Sequence, residues 1–529
     1  MNRSTPRAAL LLLLALAGCS REAEHPAAAS GPPGVLRRGN GPEPDSLDPQ
    51  LARTDTAANI LRDVYEGLAS LNARAEPVPG AAESWDASAD GLTYTFHLRS
   101  GARWSDGTPV VAADFVNAWR RLVDPATGAQ YADVLAPVVN AAEIIAKKAA
   151  PDSLGVTALD AHTLNVHQKA PTPYLPGLVA HWSTYPVPGG AAPKPAGRTV
   201  SNGAYTLAAW TVGSHVTLKR NPRYWNAAAT HIEEVDYFHV PDANDEYARF
   251  RGGALDVTYV LPQQPIARLE AQQGALIHRG PQLGVYYYGF NLEKPPFKGA
   301  PGLRQALAMT IDRERLVNAV TGLGELPAYS WIPPGVAAYE SQRFAWAGDS
   351  AESRLATARK LYAQEGYGPS HPLVIELRYP SGPTHERIAL AVAAMWKDAL
   401  GVETKPVGEE FKSMLQAITR GETQVFRSSW VGDYNDAWTF AEVLEGDFGI
   451  NLPHYKSAAY DAALLAASRA TDPKARAADL EDAERIMLAD VPVVPLYFFV
   501  NKHLVAARVH GWYDNVMNVV YSKDLELVH

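Results

Sequence analysis

The stretch Phe426-Arg-Ser-Ser-Trp-Val-Gly-Asp-Tyr-Asn-Asp-Ala-Trp438 places an arginine, two tryptophans, two aspartates and a tyrosine side by side. A protein core does not need this combination of residue types. A pocket that holds both ends of a charged, extended ligand does need it. In such a pocket Asp433 would bind a cation, Arg427 would bind an anion, and Trp430 would supply a flat apolar wall. The alternative is a surface loop with solvated charges and half-buried rings. These residues alone leave both interpretations open.

The composition is that of a soluble protein with several domains. At 529 residues the chain is too long for a single core, which predicts two to four domains. Hydrophobic residues make up 47% and charged residues 20%, which is ordinary for a globular protein. The net charge of −9 argues against nucleic acid as the main partner, because phosphate binding requires a basic surface.

The N-terminal residues are typical of an exported lipoprotein. Two arginines precede an apolar run that ends at Ala17 and is too short to span a bilayer. Leu16-Ala-Gly-Cys19 resembles a bacterial lipobox, so we expect residues 1–18 to be a signal peptide and Cys19 to be lipidated. Residues 19–35 would then be a flexible tether. The alternative is an ordinary secretory signal with an incidental cysteine; both predict export.

Helices and strands intermix along the rest of the chain, which predicts an α/β or α+β class with several lobes. The spacing of apolar residues predicts helices over 57–68 and 388–399. Two-residue alternation predicts strands over 94–98 and 373–379, and an apolar run with two prolines predicts a buried strand over 491–500.

Catalytic motifs are missing from the sequence. It contains no nucleophile elbow, no phosphate-binding glycine loop, no His-Glu-x-x-His zinc motif and no cysteine beyond Cys19. Carboxylate pairs such as Glu409-Glu410 are not linked to a base or a metal. We therefore expect a binding protein without a metal or other cofactor, not an enzyme. A hydrolase with scattered active-site residues and a chaperone-like surface lipoprotein are the alternatives from other classes.

Several motifs, in order and at matching spacing, resemble the oligopeptide-binding proteins of ABC importers. They are Trp104-Ser-Asp-Gly-Thr-Pro109 with Asp114-Phe115, Ser201-Asn-Gly-Ala-Tyr-Thr206, Asn221-Pro-Arg-Tyr-Trp225, Ile311-Asp-Arg313 and Trp430-Val-Gly-Asp-Tyr-Asn435. The resemblance extends over nearly the whole mature protein. It implies an α/β, three-lobed periplasmic-binding-protein fold of the class II, peptide-binding type, with lobes linked by a hinge.

The resemblance also implies the bounds of the lobes. Lobe I would comprise 36–65, 191–283 and 501–529, lobe II would comprise 66–190, and lobe III would comprise 284–500. Lobes I and III would close over the ligand about the hinge. An extended peptide held between them can satisfy its amides and carbonyls by adding as a strand to protein backbone.

Roles for the quoted stretch follow from the same resemblance. Asp433 would bind the α-ammonium of a peptide, the backbone of Ser429 to Val431 would pair with it, and Trp430 would line a side-chain pocket. Arg427 and His385 match positions that meet the C-terminal carboxylate at different peptide lengths.

Four further positions match or depart from the family pattern. Tyr131 and Tyr287 match positions that line the site, and the peptide backbone would pass Asp55. Arg53 stands where relatives can carry a glutamate, so it could favour acidic ligands such as a cell-wall peptide.

We therefore predict a lipid-anchored receptor, facing the periplasm, that captures short peptides and delivers them to the permease domains of an ABC importer. We expect a monomer. Murein tripeptide, or a non-peptide such as a nickel chelate or a sugar, is the alternative ligand on the same fold. Ser20 after the lipidated cysteine leaves the inner and the outer membrane both open.

Overall fold

A computed structural model describes residues 34–446 and 450–528. The predicted signal peptide, Cys19 and most of the predicted tether lie outside these residues. The strands are β1 Val35–Gly39, β2 Ala69–Leu71, β3 Pro77–Pro79, β4 Ala82–Ala87, β5 Thr93–Leu98, β6 Val156–Ala158, β7 Thr163–His167, β8 Tyr205–Thr211, β9 His215–Arg220, β10 Glu234–Phe238, β11 Ile277–Phe290, β12 Leu326–Pro327, β13 Val374–Pro380, β14 Glu403–Glu409, β15 Val425–Val431, β16 Val493–Leu504, β17 Val509–His510 and β18 Glu526–Leu527.

The α-helices are α1 Asp55–Val64, α2 Ala112–Val123, α3 Ala141–Ile145, α4 Leu175–Leu178, α5 Ala243–Arg251, α6 Ile266–Gln273, α7 Pro301–Met309, α8 Arg313–Arg315, α9 Ala351–Gln364, α10 Pro383–Leu400, α11 Phe411–Thr419, α12 Trp438–Ala441, α13 Ala458–Arg469 and α14 Pro473–Asp490. A π-helical turn, Leu316–Thr321, continues α8. This mixture confirms the predicted α/β class.

Three main sheets organise the described residues. The first sheet has the strand order β1-β10-β9-β8, the second has β4-β5-β7-β6, and the third has β12-β16-β11-β15-β13-β14. Their strands fall largely within the predicted lobes I, II and III, respectively. β11 begins before residue 284 and β16 continues past residue 500, so this antiparallel pair crosses the predicted boundary between lobes I and III.

Two large apolar cores divide the described residues into two bodies, and a small third cluster that includes Leu255 and Leu504 lies beside β16. One continuous core joins the first and second sheets and contains Trp104 and Trp119. A separate core fills the third sheet and contains Trp331 and Trp396. The first two sheets therefore pack as one body, and β11 and β16 connect it to the third.

The strongest periodic patterns predicted their elements correctly. α10 covers the predicted 388–399 helix, starts with Pro383 and ends at Gly401, whose φ of 76° suits a residue without a side chain. β16 covers most of the predicted 491–500 strand. Pro495 lies where the pairing of β16 with β11 shifts register. Because regular hydrogen bonding is already interrupted there, the N–H group that proline lacks removes little of the pairing between the strands.

Helix α1 ends earlier than predicted. Tyr65, the residue after its last turn, is extended, with φ −123° and ψ 163°. Two residues later the backbone packs so closely that a Cβ on Gly67 would lie 2.7 Å from the carbonyl oxygen of Val179. The apolar residues beyond Val64 therefore contribute to the core from an extended segment and do not prolong the helix.

The quoted stretch folds as a strand, a turn and a short helix. β15 lies between β11 and β13 in the third sheet, and Val431 is its last residue. Gly432 follows, and its amide donates to the carbonyl of Leu283 at 2.8 Å. A Cβ at Gly432 would lie 2.6 Å from the side chain of Leu283 and 2.8 Å from that of Thr439, so a larger residue would force these packed side chains to shift. The close approach fixes where the next residue, Asp433, leaves the sheet.

Candidate functional site

A cavity of about 560 Å³ lies where helices and loops of the body of the first two sheets face the third sheet. Its wall includes Asp55 and Arg62 of α1, Tyr131, and Val431 to Asp433. The volume falls in the range of about 300–1,000 Å³ that is usual for small-molecule sites. The end of the quoted stretch is therefore part of a pocket, which decides against a plain surface loop.

The carboxylate of Asp433 points into this cavity without a partner. Within the described part of the protein it forms neither a hydrogen bond nor a salt bridge. The surrounding protein partly desolvates it and raises its pKa above the ordinary value, while the residue stays accessible to solvent in the cavity. An accessible, unpaired carboxylate at the wall of a cavity can bind a cation.

Tyr131 and Asp55 approach Asp433 from the body of the other two sheets. Burial raises the pKa of the Tyr131 phenol, and the charges of Asp55 and Asp433 raise it further. Asp55 is the first residue of α1, which Thr54 caps. The structure therefore brings three of the predicted site residues together although they are far apart in sequence.

Arg53 is close to the cavity, but its charge is already paired. Its guanidinium donates to Asp45 at 3.0 Å, and its side chain remains half exposed. The hydroxyl of Tyr131 donates to the Arg53 carbonyl at 3.5 Å. The ion pair leaves less positive charge for an acidic ligand than the sequence led us to expect.

The residues of β15 divide between the two faces of the third sheet. Arg427, Ser429 and Val431 share one face by the two-residue period, and Trp430 lies on the other. Val431 lines the cavity, whereas Trp430 packs against the core of the third sheet. The indole Nε1 of Trp430 is buried without a hydrogen-bond partner among the described residues.

Arg427 and His385 form a second cluster around Tyr286. The guanidinium carbon of Arg427 lies 4.3 Å from the centre of the Tyr286 ring, and the Tyr286 hydroxyl is 3.1 Å from Nδ1 of His385. Burial, together with the charge of Arg427, lowers the pKa of His385 to about 4. His385 is therefore neutral at neutral pH, and Arg427 carries the positive charge of the cluster. Neither residue lines the cavity of Asp433.

Tyr287 lies outside both the cavity and the cluster around Tyr286. It is 2% exposed, and its ring meets the edge of Trp331 at a centroid distance of 5.0 Å. Successive residues of a strand face opposite sides, so Tyr286 takes part in the Arg427 cluster and Tyr287 does not. The two-residue alternation of β11 was the signal that could have separated them.

A contact that the sequence did not predict supports the turn after Asp433. The ring of Tyr174, from the body of the first two sheets, stacks on Tyr434 at 4.8 Å and lies 6.5 Å from Trp438. Asp436 accepts two hydrogen bonds from Arg476, both at 2.8 Å. Trp438, for which the sequence predicted no role, therefore belongs to a contact between the two bodies.

The described residues contain neither a metal site nor a membrane helix. No three His, Cys, Asp or Glu side chains in residues 34–446 and 450–528 are grouped so as to hold a metal ion. In the same residues, none of the helices combines the length and the apolarity that a membrane span requires.

Residues 76–451 match the model of the bacterial extracellular solute-binding proteins, family 5 Middle. The protein is 38% identical over 504 residues to the periplasmic oligopeptide-binding protein OppA of Escherichia coli, and the match covers 93% of this protein and 92% of OppA.

Two solved structures of a murein tripeptide-binding protein, MppA, are also similar. One is described as an unliganded open form; it has 37% identity and a TM-score of 0.89, and the match covers 93% of this protein and 97% of MppA. The other, from Escherichia coli, also has 37% identity but a TM-score of 0.72, and the match covers 94% and 98%, respectively. At equal identity, this protein is thus more similar to the open arrangement.

Proposed function

This chain belongs to the bacterial extracellular solute-binding proteins of family 5, and from that premise we propose that it captures short peptides between its two bodies and delivers them to an ABC importer. The single observation that carries the peptide assignment is Asp433, an unpaired carboxylate in the wall of the cavity between the two bodies. A free α-ammonium can bind such a carboxylate through charge-assisted hydrogen bonds. The proposed role is binding, and no catalytic step is assigned.

The rest of the peptide would be held by backbone and by the second cluster. The backbone of Ser429 to Val431 connects the position of Arg427 to the cavity wall at Val431. An extended peptide that begins at Asp433 would pair with this backbone, and its carboxylate would meet the guanidinium of Arg427. Trp430 and Tyr287 would act on this site from the opposite face, through the packing of the sheet.

The decisive experiment is calorimetry with a free tripeptide and its N-acetylated form. The wild-type protein should bind the free tripeptide more tightly, because acetylation removes the ammonium. Asp433→Asn should weaken binding of the free tripeptide by roughly two to four decades. The substitution leaves the ammonium of the enclosed peptide without an opposite charge, which costs about 3–5 kcal/mol. Equal affinities of the wild-type protein for both peptides would exclude the anchor role of Asp433.

Murein tripeptide is a second candidate ligand, favoured by one observation. The relative with the TM-score of 0.89 is named as a murein tripeptide-binding protein. Native mass spectrometry of the purified protein would separate the two candidates by the mass of any retained ligand. A non-peptide mass would overturn both.

We also propose that the protein is a monomer anchored to a membrane by lipid on Cys19 and exposed to the periplasm. The lipobox and the periplasmic names of the relatives support this. Cys19→Ala should move the protein from the membrane fraction to the soluble fraction. A Cys19→Ala protein that still partitions with membranes would contradict lipidation.

A further inference from the structure

Asp55 is a second carboxylate in the wall of the cavity, and the proposed binding mode gives its side chain no role. It is the first residue of α1, on the body that faces Asp433. The residue is exposed, and within the described part of the protein its carboxylate forms neither a hydrogen bond nor a salt bridge. Its charge is therefore free to act on a ligand.

Two tyrosines of the same body lie near Asp55 in the cavity wall. All three residues line the cavity. Burial raises the pKa of the Tyr131 phenol and that of the Tyr259 phenol, the latter to about 12, and the charge of Asp55 raises both further. These three residues form the Asp55 subsite. A carboxylate near aromatic rings suits a cation, which is attracted both by the negative charge and by the faces of the rings.

Both tyrosines are held in place by contacts outside the cavity wall's own charges. The ring of Tyr131 packs against His181 and Trp182, at centroid distances of 5.0 and 5.2 Å. Tyr259 is held through its backbone, because the fully buried Glu246 accepts a hydrogen bond from its amide at 2.8 Å. A subsite whose walls are already ordered loses little entropy when a ligand enters it.

The basic residues closest in sequence do not neutralise Asp55. The guanidinium of Arg53 is paired with Asp45. The guanidinium of Arg62, two turns further along α1, lies over the ring of Trp182, 5.2 Å from its centre. The α-ammonium of a bound peptide brings one positive charge, whereas the cavity wall presents two unpaired carboxylates. A peptide with one further cation would balance both.

The further cation must come from the start of the peptide. The charges of Asp55 and Asp433 both act on the phenol of Tyr131, so the two carboxylates lie near the same group although they belong to different bodies. A peptide whose ammonium is bound at Asp433 continues along the backbone of residues 429–431 towards Arg427. Only its first residues therefore remain close to Asp55.

We propose that the carboxylate of Asp55, with Tyr131 and Tyr259 beside it, binds a basic side chain on the first or second residue of the peptide. This inference rests on the proposed peptide-binding function and deepens it, because it makes the site selective for peptides that carry lysine or arginine at their start. A carboxylate in the first turn of α1 also stabilises the helix, so the test has to separate the two roles.

Calorimetry with four tripeptides tests this selectivity: Lys-Ala-Ala, Ala-Lys-Ala, and the same two peptides with norleucine in place of lysine. Norleucine keeps the methylene groups of lysine and lacks its ammonium. At the position that reaches Asp55, the wild-type protein should bind the lysine peptide about tenfold more tightly than the norleucine peptide. Asp55→Asn should remove that difference, because only the lysine peptide loses an ion pair. Asp55→Glu, which keeps the charge, should retain the preference for lysine.

Glu352→Gln is the matched control. It removes a carboxylate from the first turn of α9, outside the cavity, and should change no affinity. A lysine preference that survives in Asp55→Asn, even if all four peptides bind more weakly, would show that Asp55 acts through the helix or on the α-ammonium. That result, or equal wild-type affinities for lysine and norleucine at both positions, would overturn this inference alone. A wild-type protein that binds none of the four peptides would overturn the proposed function as well.

Discussion

At the residue level, the unpaired carboxylate of Asp433 should make ligand binding depend on pH. Burial raises its pKa, so it takes up a proton at a higher pH than an exposed aspartate. Only the ionised form attracts an ammonium. Affinity for a free peptide should therefore be full above the raised pKa and fall by up to about one decade per pH unit below it. Calorimetry at decreasing pH measures this slope.

The variant Asp433→Asn separates this effect from other titrations. This variant should bind a free peptide weakly, and its affinity should no longer fall as the pH decreases. Since the folded-state pKa is raised, the charged form of Asp433 destabilises the fold above that pKa, so the substitution should not lower the melting temperature at neutral pH. His385 titrates at acidic pH, with a pKa of about 4. An unchanged slope in Asp433→Asn would assign the pH dependence to another group.

Sequence reasoning predicted residue types better than it predicted their surroundings. The carboxylates Asp433 and Asp55 and the phenol of Tyr131 do meet at the cavity. The sequence could not show that Asp45 pairs with Arg53, because a turn, and not a helical or strand period, brings them together.

At the element level, the turn between β15 and α12 is held on three sides. Gly432 bonds to Leu283, Tyr434 stacks on Tyr174, and Asp436 pairs with Arg476. These contacts fix the turn that carries Asp433. A carboxylate on a rigid turn loses less entropy when it binds a ligand than one on a mobile loop.

The Arg476–Asp436 pair is the contact most easily tested. The two side chains are 10% and 16% exposed, so removing one partner leaves a nearly buried charge. Arg476→Gln or Asp436→Asn should each lower the free energy of unfolding by about 3 kcal/mol and weaken peptide binding. The double variant should lose clearly less than the sum of the two. Chemical denaturation and calorimetry measure both effects.

The exposed pair of Arg420 and Glu422 serves as the matched control. Both side chains are at least half exposed, so Arg420→Gln should leave the melting temperature unchanged. Strictly additive losses at Arg476 and Asp436 would show that the two side chains do not support each other.

Local patterns explain which elements were predictable. The helix α10 has a long run with one clear period and glycine at its end, and the strand β16 has a continuous apolar run; in both, proline stands at a tolerated position. The stacking of Tyr174 on Tyr434 joins residues of two different bodies, and no local period encodes such a contact. The sequence therefore suggested that all aromatic residues of the quoted stretch belong to a pocket. The ring of Trp438 instead lies beside Tyr174 in the contact between the two bodies.

For the whole molecule, the two separate cores define which parts can move. The first and second sheets share one core, the third has its own, and β11 and β16 pass between them. Bending of these two strands would move one body relative to the other while each large core keeps most of its packing. The greater similarity to an unliganded open form agrees with this division.

Ligand binding should therefore close the molecule. A peptide that reaches Asp433 from one body and Tyr131 and Asp55 from the other gains contacts only when the bodies approach, so its binding favours the closed arrangement. We expect small-angle X-ray scattering of the Cys19→Ala protein to give a smaller radius of gyration after addition of a free tripeptide. Asp433→Asn, at the concentration that saturates the wild-type site, should keep its larger radius. If calorimetry shows saturation while the radius stays constant, binding does not close the cleft, and the peptide must be held by one body alone.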